Sequence, residues 1–179
     1  EKDDRCGIRL PKGIGYSLSL LATMETCLAV PLMHKTVSKT NAETTATAYA
    51  NENITACILM DTDVPLLNAL LNLGIYCVIV CGRSIRHGEI NVLRTAGTRK
   101  PSSCQAEQQC CNGAALQIKT SGTTGESKLI LYEREILAIG ALCIANRSGL
   151  GPSSIGLNFL PLHHIGGIAC NIMAALLSG

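Results

Sequence analysis

Residues 120 to 128 read TSGTTGESK, a run whose side-chain types can grip an anion. Gly122 and Gly125 carry no side chain, so backbone N–H groups can approach a ligand and positive φ is open to them. Thr120, Ser121, Thr123 and Thr124 add hydroxyl donors, and Lys128 adds a cation. Convergent donors with a point charge are what a polyphosphate requires. The spacing does not match GxxxxGK[ST], which argues against a P-loop NTPase. On composition alone, an exposed turn rich in Gly and Thr competes with the phosphate reading.

A second segment, LPLHHIGG over Leu160 to Gly167, sets two imidazoles before two glycines. A strand predicted over Ile155 to Leu160 would leave His164 near its C-terminal end, where open α/β sheets place ligands. Gly166 and Gly167 would let backbone approach a substrate closely. The competing reading of the histidine is a satisfied structural residue. His34 and His87 fit no such pattern and read as surface residues.

These segments need elements to hold them. Cys6 to Leu10 is strand-like and closed by Pro11 and Gly13. From Ile14 the apolar period becomes helical through Ile14, Leu18, Leu21, Leu28 and Ala29, and Pro31 ends that helix. Ser38 to Asn51 is polar and Ala/Thr-rich, a more exposed helix. Ile54 to Met60 is a strand, followed by cap oxygens at Asp61, Thr62 and Asp63 and by Pro65 in a first helical turn. Val64, Leu67, Leu70 and Leu71 supply that helix's apolar face, and Gly74 its C-terminal cap. Ile75 to Cys81 is again an apolar run. Strand, helix and buried strand imply parallel pairing with a right-handed crossover. Residues 82–113 form an irregular connection with only Ile90 to Leu93 strand-like. Ala114 to Lys119 and Leu129 to Tyr132 flank the Gly/Thr loop as a hairpin, unlike the strand-to-helix setting of a Walker loop. A helix over Glu133 to Asn146 presents Ile136, Leu137, Gly140, Ala141 and Ile144, and Gly149 to Ser154 breaks it. Gly166 onward has helical apolar spacing. The class is α/β: layered, parallel-rich sheets with flanking helices.

Composition narrows the function. At 179 residues, with 47% hydrophobic and 16% charged residues, the chain has the balance of a folded, core-rich protein. A net charge of +2 and an aromatic content of 3% offer neither a basic stripe nor stacking platforms, so nucleic acid is not an expected partner. The ten cysteines form no CxxC pair and no Cys/His cluster of the zinc type, so no metal ligands are assigned. Cys57, Cys77, Cys81 and Cys143 lie in apolar runs and read as core thiols of a reducing, intracellular and most simply cytoplasmic compartment. Cys104, Cys110 and Cys111 lie in a polar stretch and read as an exposed loop. No apolar run has the length of a membrane span. Glu1 at the start and the apolar pattern at Ala174 to Leu177 at the end suggest a fragment.

TSGTTGESK resembles the phosphate loop of the acyl-adenylate-forming superfamily, which includes acyl-CoA synthetases, peptide-synthetase adenylation domains and firefly-type luciferases. LPLHHIGG resembles that family's PLFHxxG segment at the expected distance downstream. The opening stretch, from Asp4-Arg5 through Leu10-Pro11 to Ala29-Val30-Pro31-Leu32, resembles the family's start. Lys119, Ser127 and His163 depart from the commoner residues. The resemblance implies that residues 1–179 are the N-terminal part of an AMP-binding domain of an acyl-CoA-synthetase-like fold, without the C-terminal lid. It implies that Thr120, Ser121, Gly122, Thr123, Thr124, Gly125 and Lys128 wrap the β- and γ-phosphates of ATP. His164 would act beside the reacting carboxylate, with His163, Gly166 and Gly167 lining the acid pocket. The implied activity uses ATP and Mg2+ to make an acyl-adenylate from a carboxylic acid, a fatty or aryl acid, and passes the acyl group to coenzyme A. A carrier-protein-loading module and a non-catalytic relative are the alternatives. The family's adenine, ribose and metal-contacting residues would lie after Gly179, so the chain alone is expected to be inactive.

Overall fold

A computed structural model describes residues 4–86, 89–98, 113–120 and 128–179. The chain divides into two compact units, Glu1–Cys111 and Asn112–Gly179.

In the first unit, β1 (Arg5–Arg9), α1 (Ile14–Thr26), β2 (Leu28–Pro31), α2 (Ala42–Asn51), β3 (Ala56–Met60), α3 (Val64–Asn72), β4 (Tyr76–Val80), α4 (Gly82–Arg86) and β5 (Val92–Ala96) follow in order. The strands lie side by side as β5-β4-β3-β1-β2. β1 pairs in parallel with β2 and β3, and β3 with β4, whereas β5 runs antiparallel to β4. The predicted strand–helix–strand unit with parallel pairing is therefore present. Ala42 and Ala46 of α2 and Leu66, Leu67, Ala69 and Leu70 of α3 join Cys57 and Leu59 of β3 and Cys77 and Ile79 of β4 in one buried cluster. Alternate residues of each strand enter it, as the pleat requires. α3 stops as expected: Gly74 adopts φ 74°, and the Gly74 and Ile75 N–H groups donate to the Leu71 and Leu70 carbonyls at 2.9 and 3.0 Å. This is the paired closure of a Schellman motif.

Four expectations change in this unit. Leu28 and Ala29 do not continue α1 but open a buried strand, whose Leu28 N–H donates to the Asp4 carbonyl. Within α1 the buried face is Gly15, Tyr16, Ser19, Leu20, Thr23 and Met24, while Ile14 and Leu18 are exposed. Thr23 tolerates burial because its hydroxyl donates to the Ser19 carbonyl at 2.7 Å. Val64 is exposed rather than on the buried face of α3. The connection after β4 is not irregular throughout, since α4 and β5 lie within it, and 99–112 lie outside the described residues.

In the second unit, β6 (Ala114–Thr120) and β7 (Lys128–Glu133) form the antiparallel hairpin that was predicted, followed by α5 (Arg134–Arg147), a π-helical segment (Gly166–Met173) and α6 (Ala174–Leu177). Ala115, Leu116, Gln117 and Ile118 are all buried, so β6 is covered on both faces, whereas β7 is largely exposed. α5 buries Leu137, Ala141 and Ala145, leaving Ile136 exposed. Gly149, at φ 64°, ends it in the manner of Gly74, with Leu150 N–H donating to the Ala145 carbonyl at 2.9 Å. Cys143, expected in the core, is exposed. Among the described residues no helix is long and apolar enough to cross a membrane.

Candidate functional site

The predicted site residues fall in two places of the second unit. At the first, Thr120 and Lys128 stand opposite each other in the β6/β7 register and form the neck of the Gly/Thr loop. The Thr120 hydroxyl donates to the Lys128 carbonyl at 3.3 Å, an additional tie across the hairpin where the ladder ends. Lys128 is exposed at the start of β7. Ser121, Gly122, Thr123, Thr124 and Gly125 lie outside the described residues. What the fold supplies is a strand buried over Ala115–Ile118 that leads to the loop and a cation at the loop's exit. Strand-borne neck residues fix where the loop begins and ends, which lowers the entropic cost of closing it on an anion.

The second place is the LPLHHIGG segment. The expected strand over Ile155 to Leu160 is not formed. Among the described residues this stretch pairs with no strand, and Ile155, Leu157 and Phe159 are 101%, 81% and 77% exposed. Its alternating apolar pattern therefore has neither a ladder partner nor a core to face. His164 accordingly follows a tight turn, not a strand end: its N–H donates to the Pro161 carbonyl at 3.1 Å. Its own carbonyl accepts from the Gly167 and Ile168 N–H groups at 3.1 and 3.3 Å, which starts the π-helical segment. The ring of His164 is exposed and lies against that of His163, with centroids 4.3 Å apart and planes tilted by 44°.

The two glycines part company. A Cβ on Gly167 would drive into the Pro161 carbonyl, so the missing side chain admits the chain's own backbone rather than a substrate. A Cβ on Gly166 would meet only Leu160 Cδ1, at 3.6 Å, an ordinary contact. Gly166 is therefore the position of the two where fold packing does not require glycine. Asn158, which the residue pattern did not single out, clips this segment together. Its side-chain carbonyl accepts from Leu160 N–H at 3.1 Å and its amide donates to the Gly167 carbonyl at 3.4 Å. A polar residue centred in an apolar stretch was the available signal.

The first unit holds a charged cluster that was also missed. Arg9, the last residue of β1, is 1% exposed and donates to the Asp63 carboxylate at 2.6 Å and to the Lys35 carbonyl. The expected cap oxygen of Asp63 thus serves Arg9, and the α3 N-terminus has no side-chain cap. Asp61 is likewise engaged elsewhere, accepting from Gly82 N–H at 3.0 Å. β1 leads through α1 to β2 on one side, and β3 leads through α3 to β4 on the other, so the Arg9–Asp63 pair sits at the carboxyl-end switch point of the parallel strands. An arginine inside CGIRL was the sequence signal, because a charge in an apolar strand needs a partner. His34, read as a surface residue, is half-buried beside this cluster. Burial, with Arg9 adding to it, lowers its pKa from the ordinary value. His87 lies outside the described residues, as do Cys104, Cys110 and Cys111. Among the described residues no group of three or more His, Cys, Asp or Glu is placed to hold a metal ion.

Solved structures share this arrangement. ATP-bound MatB from Rhodopseudomonas palustris superposes with a TM-score of 0.71 at 16% identity, over 99% of this chain and 34% of that one. The fatty acyl-adenylate ligase of L. pneumophila, in complex with acyl adenylate and pyrophosphate, gives 0.66 at 15% identity, over 99% and 29%. The o-succinylbenzoate coenzyme A synthetase MenE of Bacillus subtilis, in complex with AMP, gives 0.62 at 15% identity, over 98% and 42%. The chain has the fold that these three structures share over the matched length. The expected α/β class and its acyl-CoA-synthetase-like architecture are thus established, and the chain spans about a third of the length of the MatB chain it matches. No family model matches the chain, and no curated protein sequence does.

Proposed function

We propose that this chain is the phosphate-handling part of an AMP-forming acid–thiol ligase. The observation that carries the reading is the Thr120/Lys128 neck of the β6/β7 hairpin, which brings together the two ends of TSGTTGESK in a fold shared with ATP-bound MatB. Thr120, Ser121, Gly122, Thr123, Thr124 and Gly125 surround the β- and γ-phosphates of ATP, and Lys128 supplies the charge at the loop's exit. Their task is to neutralise and orient pyrophosphate so that it leaves in line when a carboxylate attacks the α-phosphorus. Mg2+ carried by the nucleotide supplies Lewis-acid stabilisation of the phosphate oxygens. His164, exposed at the turn, meets the acid's carboxylate, with His163 and Gly166 beside it. The acyl-adenylate then yields its acyl group to the thiol of coenzyme A, releasing AMP. The kinship in fold to a coenzyme A synthetase, MenE, supports that acceptor.

Mg·ATP is expected to raise the melting temperature of the protein, and Lys128→Ala or Thr123→Ala to abolish most of that shift. A wild-type protein with no ATP-induced shift would contradict the proposal and favour a non-catalytic relative. This chain by itself is proposed to bind nucleotide without completing the reaction. Carboxylate-dependent ATP–pyrophosphate exchange by the purified chain, lost on Lys128→Ala, would overturn that part.

A further inference from the structure

The segment between β2 and α2 is hydrogen-bonded to the sheet through one buried side chain. Leu32 N–H still donates to the Ile8 carbonyl at 3.0 Å, but among the described residues Met33 to Val37 make no backbone–backbone hydrogen bond. The tie is Arg9, at the end of β1. One guanidinium nitrogen donates to the Lys35 carbonyl and another to the Asp63 carboxylate, the latter at 2.6 Å. Val37 adds apolar packing against the core of the first unit. Met33 and Lys35 are exposed, and His34 between them turns inward. Its Nε2 is sealed from solvent and has no hydrogen-bond partner.

That sealed nitrogen makes the segment sensitive to protons. A neutral imidazole carries N–H on one ring nitrogen only, so Nε2 can remain a bare lone pair, whereas the cation carries N–H on both. Protonation therefore turns Nε2 into a charged donor with neither water nor an acceptor, which is costly. The surrounding charges do not relieve it. Arg9 is itself a cation, and the Asp63 carboxylate at the start of α3 is already bonded to Arg9. Tyr49 of α2 packs against the same cluster and stays a neutral phenol because burial raises it. Lys35, on the segment itself, is exposed. Burial first, and Arg9 second, hold the His34 imidazole below its ordinary value, with Asp63 opposing them.

We propose that His34 is an acid-operated latch: neutral, it lets the segment from Met33 to Val37 close on Arg9, and protonated, it opens that segment to water. In the open form Nε2 is hydrated, and the imidazole takes up protons at its ordinary value of about 6.5. The closed form binds protons more weakly, so it is favoured above that value and loses ground as pH falls below it. Between about pH 7.5 and about pH 5.5 the closed-to-open ratio should drop by up to about tenfold. Opening releases the Lys35 carbonyl from Arg9 and leaves the Arg9–Asp63 pair in place, so the parallel strands keep their order.

The test pairs NMR titration of the His34 ring with limited trypsin cleavage of the whole chain after Lys35, over a pH range that stays above ordinary carboxylate titration. Each cleavage rate is divided by that of a synthetic peptide spanning Met33 to Lys39 at the same pH, which removes the protease's own pH dependence. The expected result is a ring midpoint below about 6.5, with normalised cleavage rising by up to about tenfold as pH falls. In His34→Gln the normalised rate should stay flat. A ring midpoint at or above the ordinary value, or wild-type cleavage that does not change with pH, would overturn the proposal. So would the same rise in His34→Gln, or a rise shared by cleavage after Arg94 of β5, which reports general unfolding. The midpoint and the cleavage profile are both read on the wild-type protein, so a folding defect in the variant leaves them decisive.

Discussion

The Arg9–Asp63 pair offers the sharpest test of how this fold is held at its switch point. Arg9 is 1% exposed and the Asp63 side chain 12%, and their N···O separation is 2.6 Å. Both charges are therefore largely desolvated, and each depends on the other. Asp63→Asn keeps the shape of the side chain but leaves a buried guanidinium with no anion. Removing one partner of a buried pair costs about 3–5 kcal/mol, a large share of the roughly 5–15 kcal/mol that holds a domain together. With a urea m-value of about 2 kcal/mol/M, the unfolding midpoint should fall by about 1.5–2.5 M. Arg9→Met with Asp63→Leu removes both charges and should recover much of the loss, since a well-packed apolar replacement is often neutral. The assay is urea unfolding followed by circular dichroism, read as a double-mutant cycle. A midpoint shift below about 0.25 M for Asp63→Asn, no more than an ordinary surface change of about 0.5 kcal/mol produces at that m-value, would refute the argument. So would a double variant as unstable as the sum of the single ones.

Three further outcomes follow from the local geometry. Gly167→Ala forces a Cβ into the Pro161 carbonyl and should cost about 1–3 kcal/mol, as overpacking does. A thermal melt should show a clear fall, whereas Gly166→Ala should melt like wild type. Asn158→Ala removes the acceptor of the Leu160 N–H, so hydrogen exchange at the Leu160 amide should accelerate while the β6/β7 amides keep their rates. Because Cys6 holds the Cys27 thiol down to about 7, the thiolate is present above that pH and is lost as pH falls through it. Iodoacetamide alkylation of Cys27 should therefore rise through about pH 7. Cys6→Ala, which removes the donor, should move that rise upward and slow the reaction at neutral pH by on the order of tenfold.

Much of this architecture was legible because apolar runs and punctuation agreed. Ile54 to Met60, Pro65, Gly74 and Ile75 to Cys81 mark a parallel strand–helix–strand unit, and two apolar runs around a Gly/Thr loop mark the hairpin. The errors have physical causes. The buried face of α1 was misjudged because Ser19 and Thr23 face inward, and a hydroxyl satisfied by its own helix backbone is invisible to hydrophobic periodicity. Leu28 to Pro31 kept helical spacing by coincidence, while the β1 ladder made it a strand. Ile155 to Leu160 has the composition of a strand, but a strand requires a neighbour, and composition cannot supply one. Asp63 was given a local capping task because Arg9, far away in sequence, could not be seen as its partner. At the candidate site, the chemistry of the loop was readable from residue types, but the register that sets Thr120 against Lys128 and the turn that carries His164 were not.

The central claim is that the loop from Thr120 to Lys128 holds the β- and γ-phosphates of ATP. Calorimetric titration of the protein with Mg·ATP, and separately with Mg·pyrophosphate, tests it most directly when wild type is compared with Lys128→Ala. Loss of a charge-assisted contact worth about 1.5–3 kcal/mol should weaken both ligands by about 10- to 100-fold. The same factor should apply to each, because both present the same phosphates to the same cation. Affinities unchanged by the substitution, or a loss confined to Mg·ATP with pyrophosphate binding intact, would contradict the account.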